Sequence, residues 1–311
     1  MEIYLIMNYE LLKKLCSIHA PAGDERKMQH FLLNYIEEFK QSWEVTPEVI
    51  YGDDFQHSIL LVFGKPRTAV FAHIDSIGFT ARYNNELVKI GGPITSDGYH
   101  LVGEDANGPI EGVLKLDAGY DYSLASNRIA ERGTTFTFKA EWKEDGQSVQ
   151  CCYMDNRLGV FNALKIAETL KDGVLVFSCW EEHGGGSVPY IIKYLWDQFK
   201  IKQTLISDIT WITDGVTAGN GVVVSLRDSG LPRKVFTDKI RNILLKNNHD
   251  FQLEVESTGG SDGNEIQKQP YPIDWCFIGA AESNVHSPNE KVDKKDIESM
   301  IVAYQILMRE L

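Results

Sequence analysis

The chain has 311 residues, 43% hydrophobic and 24% charged, which suits one large core and is neither fibrous nor disordered in composition. A formal net charge of −13, from 44 acidic and 31 basic residues, opposes nonspecific binding to nucleic acid or an anionic membrane. No run approaches the roughly 18 apolar residues that a membrane span requires.

The chain opens with two helices. Apolar Leu11, Leu12, Leu15, Cys16 and Ile18 recur at helical spacing over residues 9–19, and Pro21-Ala22-Gly23 ends that helix. Asp24 can cap a second helix, in which Met28, Phe31, Leu32, Tyr35, Ile36 and Phe39 make one stripe. Residues 59–63 and 68–72 read as buried strands. From about 76 to 149 the pattern changes to short strands broken by Gly91-Gly92, Asn107-Gly108 and Asp145-Gly146, which reads as a small all-β, barrel-like module.

Helix and strand then alternate. Helices are expected over 157–171, 187–199, 235–247 and 293–311, and strands over 174–180, 204–209, 222–226, 251–256 and 275–278. The fold class is therefore α/β, a mixed and largely parallel central sheet flanked by helices. The catalytic domain is expected at 1–75 and 150–311, interrupted by a β-rich domain at 76–149. The five cysteines (Cys16, Cys151, Cys152, Cys179 and Cys276) are odd in number and form no CxxC pair, which reads as free thiols in a reducing compartment. Residues 1–7 carry neither the basic region nor the apolar stretch of a secretory signal, so the expected location is the cytoplasm.

Ligands of α/β sheets bind at the carboxyl ends of strands. Five segments place metal-type side chains there or in a loop leading to a helix: His73-Ile74-Asp75, Asp155-Asn156-Arg157, Glu181-Glu182-His183, Asp208-Ile209-Thr210 and His286-Ser287-Pro288. Two histidines and three carboxylates are what a pair of borderline divalent ions needs, if one carboxylate bridges. Such a pair, roughly 3.5–4 Å apart, can hold a water and polarise a carbonyl, and a neighbouring carboxylate can move the water's proton to a leaving amine. Adjacent glutamates at a strand end supply one group for each task. Asp214 is a rival to Asp208 as ligand, although Asp208 abuts the apolar strand.

Taken in order, these segments resemble the glutamyl or tetrahedral aminopeptidase family of dinuclear zinc metallopeptidases, some of which carry endoglucanase names. The resemblance covers nearly the whole chain. It rests on Pro21-Ala22-Gly23-Asp24-Glu25, His73-Ile74-Asp75-Ser76-Ile77-Gly78-Phe79, Asp155-Asn156-Arg157-Leu158-Gly159, Glu181-Glu182, Asp208-Ile209-Thr210 with Asp214, Gly259-Gly260-Ser261-Asp262, and His286-Ser287-Pro288-Asn289-Glu290. It implies two divalent ions, zinc with cobalt or manganese as alternatives. Asp155 would bridge them, His73 and Asp208 would complete one site, and Glu182 and His286 the other. Glu181 would be the general base and later acid, and Asp75 would orient His73. A cis bond is implied between Asp155 and Asn156, and Ser261, Asp262 and His183 are substrate-binding candidates.

The chain departs from the family pattern at Asn156, at His183-Gly184-Gly185-Gly186-Ser187, and before His286, where no arginine-tyrosine pair occurs. Its insert is shorter than is usual, so the resemblance does not carry a tetrahedral assembly. It still implies peptide substrates and homo-oligomer contacts through the insert. The same metal chemistry serves a deacylase or carboxypeptidase, and a catalytically silent scaffold is the reading from another class.

Overall fold

The computed structural model describes residues 7–116 and 121–311. The first six residues, on which the reading of the N-terminus largely rests, and four residues of the β-rich stretch lie outside the described part. Two amphipathic helices open it, Glu10–Cys16 and Arg26–Phe39; the second buries Met28, Leu32 and Ile36, one residue per turn.

The chain then builds an 11-stranded sheet. Its centre is four parallel strands in the order Gly173–Ser178, Ala69–His73, Gln203–Trp211 and Asp274–Ser283. Antiparallel strands extend both margins, Gln56–Phe63 with Glu48–Gly52 on one side and Lys291–Asp293 with Ser148–Gln150 on the other. The sheet is thus parallel where it carries the site and antiparallel along these two margins, while a side branch pairs Val223–Arg227 antiparallel to Asp274–Ser283 and parallel to Gln252–Val255. Side chains alternate across it: Val70 and Ala72 pack into one apolar layer, Ala69 and Phe71 into the other. Helices Met154–Ala167, Lys234–Lys246 and Lys294–Glu310 cover the first layer, and Val188–Phe199 with Asp262–Gln267 the second.

Element limits differ from the sequence expectation where pairing overrides local propensity. The strand expected over 275–278 runs from Asp274 to Ser283, because Gln203–Trp211 pairs with nearly its whole length. Gly279 within it is obligatory: a Cβ there would lie 2.3 Å from the carbonyl oxygen of Asp208. The helix expected over 157–171 is regular from Arg157, since Asp155 and Asn156 before it have non-helical backbone angles, and it ends earlier, at Ala167.

Six antiparallel strands between Gly78 and Phe138 close into a separate barrel. Phe79, Leu101, Leu114, Leu124 and Phe136 are buried within it. The barrel is tied to the helix that carries Asp155 through Phe138, whose N–H donates to the Tyr153 hydroxyl. Among the described residues no helix is long and apolar enough to cross a membrane.

Candidate active site

The parallel strands deliver their side chains to one edge. His73 ends its strand opposite Ser178, and Asp208 lies opposite Gly279. Asp155 enters from the start of its helix, where the Asp155–Asn156 peptide bond is cis. Asn156 fixes that helix start by donating to the Ser207 carbonyl (2.9 Å) and accepting the Gly159 N–H (2.8 Å). Glu181 and Glu182 lie in a single helical turn after the Gly173–Ser178 strand. Asp75 fixes this turn: its two oxygens accept the N–H groups of Glu181 and Glu182, each at 3.1 Å. Asp75 Oδ1 also lies 3.5 Å from His73 Nδ1, which makes no hydrogen bond.

Asp155 stands between the two imidazoles. Its Oδ1 is 3.2 Å from His73 Nε2, and its Oδ2 is 3.2 Å from His286 Nε2. Around His73 Nε2 lie Asp208 Oδ2 at 3.6 Å and Glu181 Oε2 at 3.9 Å; beside His286 Nε2 is Glu182 Oε2 at 3.3 Å. His286 Nδ1 is 3.2 Å from the Gly92 carbonyl, which can only accept, so Nδ1 carries a proton and Nε2 turns to the carboxylates. His73, Asp155 and Glu182 each bring one ligand atom within 4.8 Å of the others.

The electrostatics fit cations. Burial raises Glu181 well above the usual carboxylate range, with Glu182, Asp262 and Asp208 adding and His73 opposing. Burial, reinforced by Asp155, raises Glu182, and the same two causes raise Asp208 well above its usual range. Burial opposes a charge on His286, but Asp155 and Glu182 carry it up to about 12. Burial likewise works against a charged His73, and Asp208, Asp155 and Asp75 outweigh it. Asp155 moves down despite burial because both imidazoles face it. More carboxylates converge here than two imidazoles can neutralise, and the buried Glu182 Oε1 has no hydrogen-bond partner. This donor set of nitrogen and oxygen suits borderline divalent metals.

The remaining candidates are placed differently. Ser261 caps the Asp262–Gln267 helix, its hydroxyl accepting the Gly263 N–H at 3.2 Å. Asp262 is buried and accepts the Ser178 hydroxyl; burial raises it to about 6, with His73 opposing. His183 is exposed and accepts the Gly91 N–H at 3.2 Å, tying the glutamate turn to the segment after a barrel strand. None of the three lines the cavity of about 280 Å³ that opens over the site, whereas Gly259 and Gly260 do. Asp214 is exposed and outside that cavity.

Several functional positions escape a reading of the sequence. Glu290, noted there only as part of a motif, accepts N–H groups from both His286 and Asp155. Arg157 is fully buried and donates to the carbonyls of Ile74 and Asp75. Asp228, Glu254 and Glu256 line the cavity from strands distant in sequence, and no local motif marks them.

Imidazoles and carboxylates gathered over the carboxyl ends of a parallel sheet, beside an open cavity, suit the class of metal-assisted hydrolases. The family follows from comparison: residues 83–302 match the M42 glutamyl aminopeptidase family, and the chain belongs to it. A relative from Acetivibrio thermocellus that carries an aminopeptidase name is 23% identical, over 94% of this chain and 96% of its own. The aminopeptidase of the archaeon Desulfurococcus kamchatkensis shares the fold with a TM-score of 0.84 at 21% identity, covering 97% of this chain and 94% of that one. The Pyrococcus horikoshii TET1 peptidase, which can assemble into a tetrahedron or a large octahedral shell, gives a TM-score of 0.81 at 19% identity, covering 97% of this chain and 99% of that one.

Proposed function

We propose that this protein is a metal-dependent aminopeptidase that releases N-terminal residues from peptides. The observation that carries the reading is the position of Asp155, whose two oxygens face two different imidazoles, each beside a further carboxylate. His73, Asp155 and Asp208 would hold one divalent ion, and Glu182, Asp155 and His286 a second, with zinc, cobalt or manganese suited to the donor set. When bound, such a pair supplies Lewis acidity toward a carbonyl oxygen and lowers the pKa of water. Glu181, raised by burial and by its carboxylate neighbours, takes the proton of the attacking water and passes it to the leaving amine. Asp75 is the positioning group that holds the Glu181–Glu182 turn against His73. Asp262, Ser261 and His183 would act on substrate only from behind the cavity lining, His183 by tying the glutamate turn to Gly91 and Ser261 with Asp262 by holding the helix start after Gly259-Gly260.

The chain is read as a catalytic unit of residues 1–75 and 150–311 interrupted by a β-rich unit of 76–149, of which Lys143–Glu144 and Ser148–Gln150 pair into the central sheet and the barrel would offer contacts to further copies. The assembly of the Pyrococcus horikoshii TET1 peptidase supports contacts between copies. Five buried, unpaired cysteines suit a reducing compartment such as the cytoplasm.

Mass spectrometry of a peptide mixture incubated with protein reconstituted in zinc, cobalt or manganese tests the activity. Each free peptide is paired with N-acetylated and C-amidated versions. Stepwise loss of N-terminal residues, stopped by acetylation, by EDTA and by Glu181→Gln, is the expected result. Cleavage of acetylated peptides or from the C-terminus would replace the aminopeptidase by a deacylase or carboxypeptidase. Metal binding without any cleavage would indicate a silent scaffold.

A further inference from the structure

Beyond the five ligands and Glu181, the cavity has a second acidic end. Asp228 follows the Val223–Arg227 strand, Glu254 belongs to the neighbouring Gln252–Val255 strand, and both line the cavity together with half-buried Glu256. Asp228 is 7% exposed and Glu254 5%. One Asp228 oxygen accepts the Gly230 N–H, and among the described residues the other takes no donor from another residue. Among the described residues Glu254 takes one side-chain hydrogen bond, from the Thr210 hydroxyl. Arg227, next to Asp228 in the chain, turns its Nε–H to the Asp228 carbonyl at 3.3 Å rather than to the carboxylate. Among the described residues no Lys or Arg lines the cavity.

Two buried carboxylates on adjacent strands, open to a cavity and with no ion-pair partner among the described residues, are costly unless a further positive charge arrives. Burial, with Glu254 adding and the Gly230 N–H and Arg227 opposing, raises Asp228 to about 6, and burial also raises Glu254 against its hydroxyl neighbours, which is the same cost seen as protonation. The flanks are apolar: Phe277, Ile209 and Trp211 share the lining. A carboxylate end with apolar flanks matches a long side chain that carries its charge at the tip.

Resting on the aminopeptidase reading, we propose that this end of the cavity is the subsite for a basic N-terminal side chain. The ammonium of lysine or the guanidinium of arginine sits between Asp228 and Glu254, and the methylene stem lies along Phe277 and Trp211. The subsite therefore selects against acidic N-terminal residues, although the family carries a glutamyl name. A free α-ammonium is common to all unblocked peptides, so preference among side chains is the feature that isolates this subsite.

The test compares peptides that differ only in a first residue of Lys, Arg, Leu or Glu, using the full chain reconstituted with zinc. The expected kcat/KM for Lys and Arg exceeds that for Leu by about tenfold or more, with Glu lowest. Asp228→Asn and Glu254→Gln each lower the Lys-to-Leu ratio by about tenfold. Leu or Glu peptides cleaved as well as Lys peptides would overturn the subsite. Equilibrium binding of the same peptides to the Glu181→Gln protein reads the subsite without turnover. Tighter binding of the Lys peptide with no cleavage by the unmodified enzyme would keep the subsite and remove the aminopeptidase reading. Equal or weaker binding of the Lys peptide would remove the subsite, whatever is cleaved.

Discussion

Glu290 accepts the backbone N–H of His286 at 2.9 Å through Oε1, and its other oxygen faces the N–H of Asp155 at 3.3 Å. One fully buried carboxylate therefore joins the loop of the last proposed ligand to the start of the helix that carries the bridging one. Glu290→Gln keeps one acceptor and turns the other position into an N–H₂ that faces an N–H, so one of the two loops must shift. Zinc affinity should fall about 10–100-fold, the range usual for groups that orient ligands. Calorimetric titration of the metal-free full chain measures it, with far-UV circular dichroism as the check on folding. Unchanged affinity for two ions would show that the ligands hold their places without this clip.

Glu181 and Glu182 are neighbours in sequence with different surroundings. Glu182 Oε2 is 3.3 Å from His286 Nε2, whereas Glu181 Oε2 stands 3.9 Å from His73 Nε2 at the cavity wall. Glu181→Gln should lower kcat by about 10²–10⁴, the usual contribution of a positioned acid–base group, while zinc stoichiometry stays the same. Glu182→Gln should reduce zinc binding itself. Metal content of the two purified variants, measured beside their rates, separates the roles; equal loss of metal in both would place Glu181 among the ligands.

Much of this arrangement is legible in the sequence because the chemistry sits in short segments that begin or end regular elements. His73 closes an apolar strand, Asp155 opens a helix, and Glu181-Glu182 follows a strand, so periodicity alone places them at element ends. The barrel is legible through its Gly-containing turns, although its closure is a matter of pairing that no local pattern encodes. What is hidden is lateral. Asp228 and Glu254 face one cavity because two parallel strands lie side by side, and Glu290 matters through backbone groups that carry no side-chain signal. The strand around Gly279-Ala280-Ala281 is hidden because small residues have little strand propensity, and it forms because neighbours pair with it on both sides.

Gly279→Ala tests that lateral dependence. The added Cβ would lie 2.3 Å from the Asp208 carbonyl oxygen and 3.1 Å from the Phe277 ring, within the paired strands rather than at an edge. The strand that carries Asp208 must then move or the pairing must open. A loss of about 1–3 kcal/mol is expected, as for other overpacked interiors. The denaturant midpoint and zinc affinity should fall together, because the displaced backbone is that of a proposed ligand. A fall in stability with zinc affinity intact would mean that the strain is absorbed on the other strand.

His19 gives the chain an acid-sensitive contact outside the set of metal-type ligands. Its two ring nitrogens meet the hydroxyls of Thr137 and Thr135, each at 2.9 Å, and the Thr135 hydroxyl also reaches Asp24 at 3.0 Å. Both threonines lie on a barrel strand, so the ring joins the barrel to the loop after the first helix. Burial lowers the His19 pKa to about 4; Asp24 and Glu104 oppose the shift, and Lys27 and Arg157 add to it. A histidine in the unfolded chain titrates near 6.5, so on acidification the unfolded chain takes up the proton first. The stability from neutral His19 is therefore complete above about pH 6.5 and is lost as the pH falls toward 4. His19→Gln keeps a polar side chain between the threonines and removes the titration. The unmodified protein should lose more of its melting temperature than the variant between pH 7 and pH 5. Parallel curves over that interval would show that other groups account for the acid sensitivity and that this ring stays neutral at no cost.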